Sequence, residues 1–598
     1  MGHAYRAVGW NRQKRVYDAT LAGGIVACVA LFAALTWRAN PEVTAETLLI
    51  RSFGATAFVL LHVVLSIGPL CRLDRRFLPL LYNRRHMGVA MFVLALGHGS
   101  IAFLLFHTQG VLSPLESLFT GDSGASGFAG FPFQPLGALA LAILFLMAAT
   151  SHDFWLRNLT PPVWKALHMA VYVAYALVVM HVALGFLQAN TSPLLTALTA
   201  LGAAWILGLH LLAARKERER DEAAPTSGEW SDAGAVDEIP DGGARTVSLG
   251  GERVAVFRYD GKLSAISSVC RHQNGPLGEG RVVDGCIVCP WHGYQYRPRD
   301  GCSPAPFTER VPTFRVRVAK GRVQVDPRPL PCGTAVEPAL VSAPALEGDE
   351  RDAGELYIGY LPEAPPRQAR FARRAVSALL TLCIGAVALV ASQQSKLSDG
   401  RFEFGVAREF RGVIEAAPYP VLRTPRPGGG ASAYLLVARG KHGANELAAP
   451  FAGRGVTLRG VLVHQNGRAL IEVAPNSIAP ADVSVEASGG AVALGRFKLR
   501  GEIVDSKCHL GVMNPGERRT HRACAKLCVR GGIPPLLWVE DEHGEVRRLL
   551  LVGARGEAVN DRVVELVGDP VEIEGDVERI DDLLVLRADP ANYRRIED

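Results

Sequence analysis

Residues 83–98, NRRHMGVAMFVLALGH, set His86 at the mouth of an apolar run and His98 near its middle. A second run, HMAVYVAYALVVMH at 168–181, is bounded by His168 and His181. At ~1.5 Å of rise per helical residue, each pair spans roughly 18–20 Å along a helix axis. If the two runs cross a membrane in the same direction, His86 faces His168 at one level and His98 faces His181 at the other. Ionisable groups at membrane depth mark function, and two neutral imidazoles from facing helices are an axial pair for haem iron. His62, in the preceding run, is the alternative ligand.

Working outward, apolar runs fall at 20–37, 52–71, 87–107, 136–150, 164–187 and 194–214, with a seventh at 375–392. Charged residues are 20% of the 598, below the roughly 25% of soluble domains. The mean hydropathy is +0.16. Both point to a multi-pass membrane protein in contact with lipid. The first run reads as a retained helix rather than a cleaved secretory signal. A net charge of +6 is small for this length and gives no case for nucleic acid. Nineteen Lys and Arg residues flank one set of helix ends, against Arg38 alone in the opposite short loops. That asymmetry predicts a cytoplasmic N-terminus, a cytoplasmic segment from 215 to 374, and an external or periplasmic tail beyond about 393.

The two histidine-bounded stretches resemble the ferric-reductase-like transmembrane family, which includes NADPH oxidases and the haem subunit of periplasmic methionine-sulfoxide reductase. The resemblance covers about 15–215. It implies a six-helix bundle at 1–216 holding two stacked b-type haems on His86, His98, His168 and His181. Arg72, Arg75, Arg76, Arg84 and Arg85 are candidates for the inner propionates and Arg51 for the outer ones. The flavin- and NADPH-binding domain of the oxidases does not follow the sixth helix, so a different donor is implied.

The segment after the sixth helix carries Cys270-Arg271-His272 and Cys289-Pro290-Trp291-His292. Each loop offers one thiolate and one imidazole, the ligand set of a Rieske cluster. Zinc sites instead pair Cys with Cys and His with His at short spacing. The pattern resembles the Rieske [2Fe–2S] domain over about 228–326, an all-β unit ligated by Cys270, His272, Cys289 and His292. Gly275 and Trp291 stand where cytochrome bc Rieske proteins carry a disulfide, as in ferredoxin and oxygenase Rieske domains. The resemblance thus implies a disulfide-free form suited to a reducing cytoplasm.

Residues 327–366, rich in Pro, Ala and Glu, read as a linker to the seventh helix at 375–392. Beyond it the chain repeats itself. FRGVIE (410–415), AYLLVARG (433–440) and GVTLRGVLVHQNGRALIEV (455–473) match LRGEIV (499–504), RLLLVGARG (548–556) and PVEIEGDVERIDDLLVLRA (570–588). Two small β-units, OB-like in guise, are expected at 403–480 and 497–590. The second alone contains an insertion with Cys508, His509, His521, Cys524 and Cys528, a set for an external metal or a disulfide.

Taken together, the sequence predicts an oxidoreductase subunit. Electrons pass from a cytoplasmic reductase or ferredoxin, through a Rieske cluster and two b-type haems, to an external acceptor protein in an inner-membrane setting. A quinol-oxidising cytochrome b–Rieske fusion and a redox-sensing scaffold are the alternatives. A Rieske oxygenase would need a 2-His-1-carboxylate iron site, and no D-x2-H-x4-H follows the cluster motif.

Overall fold

A computed structural model describes residues 12–81, 84–120, 131–151, 155, 159, 161–190, 192–222, 230–272, 274–291, 293–341, 366–426, 429–485, 491–541, 543 and 545–596. The apolar runs become α1 (Arg12–Ala39), α2 (Ala45–Leu73), α3 (Arg84–His107), α4 (Phe133–Ala149), the consecutive α5 (Pro161–Met169) and α6 (Val171–Leu184), α7 (Pro193–Glu222) and α8 (Pro366–Ser392). Six helical spans among the described residues are long and apolar enough to cross a membrane, and α4, at 17 residues, is shorter. Its ~25 Å length lies at the lower end of what a bilayer core requires.

The bundle core is aliphatic and aromatic: Leu61 and Leu65 of α2, Met91 and Phe92 of α3, Leu144 of α4, Ala174 and Tyr175 of α6, and Ile206 of α7. The seventh span, isolated in sequence, joins this bundle. Cys383, Val387 and Ala391 of α8 interlock with Cys28 and Phe32 of α1 and Val63 and Ile67 of α2. Past its end, Gln394 donates to Thr36 and accepts from Arg51, while the Leu397 and Ser395 amides donate to Asn40 and Asn190.

The Rieske segment is all β. A sheet built on Ala244–Leu249, Glu252–Tyr259 and Lys262–Ser267 carries a smaller three-stranded unit, Arg281–Val283, Cys286–Val288 and Gln295–Tyr296. The expected linker begins later than composition suggests. Ala339–Leu340 pairs with Lys262–Leu263, because an extended, Pro-rich strand can close a sheet edge without its own core. The rest of the linker, 342–365, lies outside the described residues.

The tail forms two closed five-stranded barrels. The first uses Arg401–Glu415, Val421–Pro425, Ala431–Val437, Gly455–Gln465 and Arg468–Val473, and the second Val492–Asp505, Pro535–Glu540, Val546–Val552, Pro570–Ile580 and Leu583–Arg587. In both, spatial order runs first, second, third, fifth, fourth and back to first, with third and fifth parallel. A short helix, Asn445–Ala448 or Asn560–Val563, precedes each fourth strand. This is the OB-type Greek-key barrel. Tyr419, Leu435 and Val463 of the first share a core with Val504, Leu536 and Leu550 of the second.

The two soluble parts occupy opposite ends of the bundle. At the N-terminal end of α3, Arg85 lies over Trp164, and nearby Arg72 lies over Trp291 of the Rieske segment. At its C-terminal end, Lys441 of the first barrel donates its Nζ to the Leu105 carbonyl at 3.0 Å and its amide to Gln109 at 3.0 Å. Arg518 and Arg519 of the second barrel donate to the Ala189 and Phe131 carbonyls. The 24 residues of α3 separate the two ends by roughly 36 Å.

Candidate functional site

Three constellations lie along the bundle axis. At the first, two tight loops are closed by paired backbone bonds. The Cys270 amide donates to Gly275 and that of Asn274 to Cys270, while Cys289 donates to Tyr294 and Gly293 to Cys289. Cys270, His272 and Cys289 are all buried. His292 lies outside the described residues. The Tyr296 hydroxyl is 3.4 Å from the Cys270 sulfur and accepts from the Arg271 amide at 3.1 Å. A Cβ on Gly275 would fall 2.6 Å from the Cys289 sulfur, so the smallest residue leaves the thiolate its space. Burial, then Arg85 and His168, push His272 down to about 3. It is therefore a neutral imidazole at physiological pH, the form that binds a metal. This donor set fits a [2Fe–2S] cluster with two sulfur and two nitrogen ligands.

His272 does not end at the Rieske boundary. Its ring stacks with Trp164 of α5 at 5.5 Å between centroids, and Trp164 stacks with His168 one turn later at 3.8 Å. Trp164 is 4% exposed, and its indole nitrogen donates to the Thr150 carbonyl. His168 donates Nδ1 to the Trp164 carbonyl, and its Nε2 is buried with no hydrogen-bond partner.

At the level nearer the barrels, the rings of His98 and His181 approach to 6.2 Å between centroids. Each donates Nδ1 to a carbonyl of a neighbouring helix at 2.9 Å: His98 to Ile50 and His181 to Phe133. That bond fixes the tautomer and reserves Nε2 as the ligand atom. Two imidazoles ~2 Å from one iron put their centroids roughly 6 Å apart, so the pair fits a bis-histidine haem. The arrangement is doubled in the chain. Gly54, four residues past Ile50, and Gly137, four past Phe133, sit under the imidazoles, where a Cβ would come within 2.9 Å and 2.7 Å of Nδ1. A larger residue at either place would displace the ring.

The other two sequence candidates are engaged elsewhere. His86 is exposed and pairs with Asp18 of α1 at 2.8 Å, not with His168. Twelve helical positions turn it about 120° from His98. His62 donates Nδ1 to the Phe58 carbonyl, and its Nε2 accepts from the Tyr175 hydroxyl. Of the arginines considered for propionates, Arg76 is bound to Asp74, Arg51 to Gln394, and Arg72 and Arg85 cover Trp291 and Trp164. Trp164 had no signal in the sequence, since nothing local foretells the docking of a distant loop.

The third constellation is the insertion of the second barrel, where Cys508, Cys524 and Cys528 converge and His521 groups with Cys508 and Asp505. His509 stands apart from them: its Nε2 accepts from Arg548 at 3.0 Å and its Nδ1 meets Glu517 at 3.3 Å.

Comparison with known proteins matches two families. Residues 229–315 match the Rieske [2Fe-2S] domain, and residues 51–179 match the ferric reductase like transmembrane component. An anthranilate 1,2-dioxygenase ferredoxin subunit of Burkholderia cepacia is 36% identical over 102 residues, 17% of this chain and 94% of that protein. A cholesterol 7-desaturase of Xenopus laevis is 40% identical over 79 residues, 13% of this chain but only 17% of the desaturase. Among solved structures, a chain from the complex of reduced oxygenase and oxidized ferredoxin in carbazole 1,9a-dioxygenase aligns at 26% identity and a TM-score of 0.17, covering 18% of this chain and 99% of that one.

Proposed function

We propose that this chain, a member of the Rieske [2Fe-2S] family through residues 229–315 and similar over 51–179 to the ferric reductase like transmembrane component, conducts electrons across the membrane. The donor is a cytoplasmic reductase or ferredoxin at the Rieske end, and the acceptor is an external protein at the barrel end. The observation that carries this reading is the contact of Trp164 with both His272 and His168.

Cys270, His272, Cys289 and His292 would hold the cluster, and His98 with His181 a b-type haem. Bound there, these groups supply one-electron carriers. The chain's own residues supply the rest. Trp164 keeps water out of the junction between the cluster loop and α5. The Arg85 and Arg72 guanidiniums clamp the aromatic rings of that junction. The Ile50 and Phe133 carbonyls orient the two imidazoles. A second haem, expected from the family, would have His168 or His210 as a candidate ligand, each bonded through Nδ1 to the carbonyl four residues back, whereas His86 and His62 are held by Asp18 and Tyr175. A haem held by both His98 and His181 would be low-spin.

The arginine asymmetry of the loops supports a cytoplasmic Rieske domain and an external tail, and the positions of the two soluble parts at opposite bundle ends agree with it. Redox titration of the purified protein by EPR and visible absorption tests the proposal. The expected result is one Rieske signal together with a low-spin haem band. A preparation replete in iron but lacking either signal would overturn it.

A further inference from the structure

Between the first and second strands of the second barrel, the insertion folds into a turn at Cys508–Val512 and α9 (Arg522–Arg530). Cys524 and Cys528 are four residues apart on α9 and so share a face. Cys508 reaches them from the turn. The three sulfurs lie within 4.8 Å of one another, with Cys508 and Cys528 at 3.9 Å. Thiolates ~2.3 Å from one tetrahedral ion stand roughly 3.8 Å apart.

A second grouping, Asp505, Cys508 and His521, shares Cys508 with the first and is as tight. His521 is 1% exposed and donates Nε2 to Asp505 at 2.9 Å, while its Nδ1 is buried with no hydrogen-bond partner. Asp505 is fully buried and also accepts from the Cys508 amide at 2.8 Å. Buried cysteines alone are ordinary small apolar residues. A buried imidazole with an orphan nitrogen, grouped with one of them at Cys508, is not, since leaving it unsatisfied costs about 1–3 kcal/mol. A carboxylate holding the far nitrogen of a histidine is the usual support for a metal ligand.

We propose that the thiolates of Cys508, Cys524 and Cys528 bind one closed-shell thiophilic cation, Zn(II) or Cu(I), with the imidazole of His521, held by Asp505 beside Cys508, as the adjoining ligand. Soft thiolates select these ions over harder ones. The barrel itself does not need the site, because the first barrel joins the same two strands through residues 416–420 alone. Its place is nevertheless specific. The Phe106 ring of α3 lies 6.5 Å from that of His521, eight residues along the helix that carries His98. The centre therefore caps the end of the bundle opposite the Rieske domain.

Elemental analysis of the purified full-length protein tests this, with zinc and copper counted separately from iron. The expected content is one equivalent of zinc or copper per chain. Apo-protein given Zn(II) alone or Cu(I) alone in parallel identifies the ion. Cys524→Ser and His521→Ala should lose it, and Asp505→Asn should bind it about 10- to 100-fold more weakly. The three thiols should resist alkylation until a chelator is added. Wild-type protein that holds neither metal and takes up neither, or that carries a Cys508–Cys528 disulfide on mass analysis, would overturn the proposal. Because the readout excludes iron, its failure is distinguishable from a failure of the electron-transfer reading.

Discussion

The Trp164 indole and the His272 imidazole stack at 5.5 Å with their planes 28° apart. One ring belongs to a membrane helix and the other to a cluster-binding loop 108 residues later. A Rieske domain merely tethered to a bundle has no reason to bury a tryptophan against its own ligand. The contact packs the membrane helix directly against the loop that carries the Rieske motif.

Replacing Trp164 with Leu should therefore leave cluster and haem contents intact and slow cluster-to-haem transfer by about 10- to 100-fold, the usual consequence of losing alignment at a reacting centre. Stopped-flow absorption checks this. An unchanged rate would mean the stack is only packing.

His98→Ala or His181→Ala should each abolish the low-spin haem, and Gly137→Leu should do so indirectly by displacing the His181 ring. Cys289→Ser should abolish the Rieske EPR signal and leave the haem band. The two sites share no ligand, so loss of both from one variant would indicate misfolding rather than ligation.

Much of this arrangement was legible in the sequence for identifiable reasons. The mixed Cys/His loops at 270–272 and 289–292 are local and need no tertiary knowledge. Apolar runs reveal spans because a bilayer leaves few alternatives to helix. Depth along a helix is also readable, and it brought His98 and His181 to one level. Azimuth is not. His86 has the right depth relative to His168 but points to Asp18. Which histidine of the insertion lies near Cys508 was likewise hidden, because Arg548 on a distant strand binds His509.

The buried Arg423–Asp581 pair, 2.7 Å long and joining the two barrels, predicts a strong asymmetry between single and double variants. Asp581→Ala leaves a buried guanidinium without its main partner and should destabilise the tail by about 3 kcal/mol, whereas pairing it with Arg423→Met should recover much of that loss. Thermal unfolding of the full-length protein and the two variants measures it.

Glu502 predicts a pH dependence. Burial raises its carboxyl to about 7, although it accepts from the Arg518 amide at 2.6 Å. A carboxyl with a raised folded-state value favours folding below its ordinary value of 4.5, and that contribution is lost as pH rises through 7. The wild-type tail should lose about 2–3 kcal/mol between pH 4.5 and 8, and Glu502→Gln should flatten that slope. A parallel slope in the variant would assign the effect to another group.

The central claim, that electrons enter at the Rieske cluster and leave at the opposite end of the bundle, is tested most directly in sealed proteoliposomes of uniform orientation. A membrane-impermeant reductant is supplied on the Rieske side, with a membrane-impermeant oxidant enclosed on the barrel side. Wild-type protein should reduce the enclosed oxidant, the haem band should respond in the same time course, and Cys289→Ser should stop both. Oxidant reduction that persists in Cys289→Ser, or that requires the reductant on the barrel side, would contradict the account.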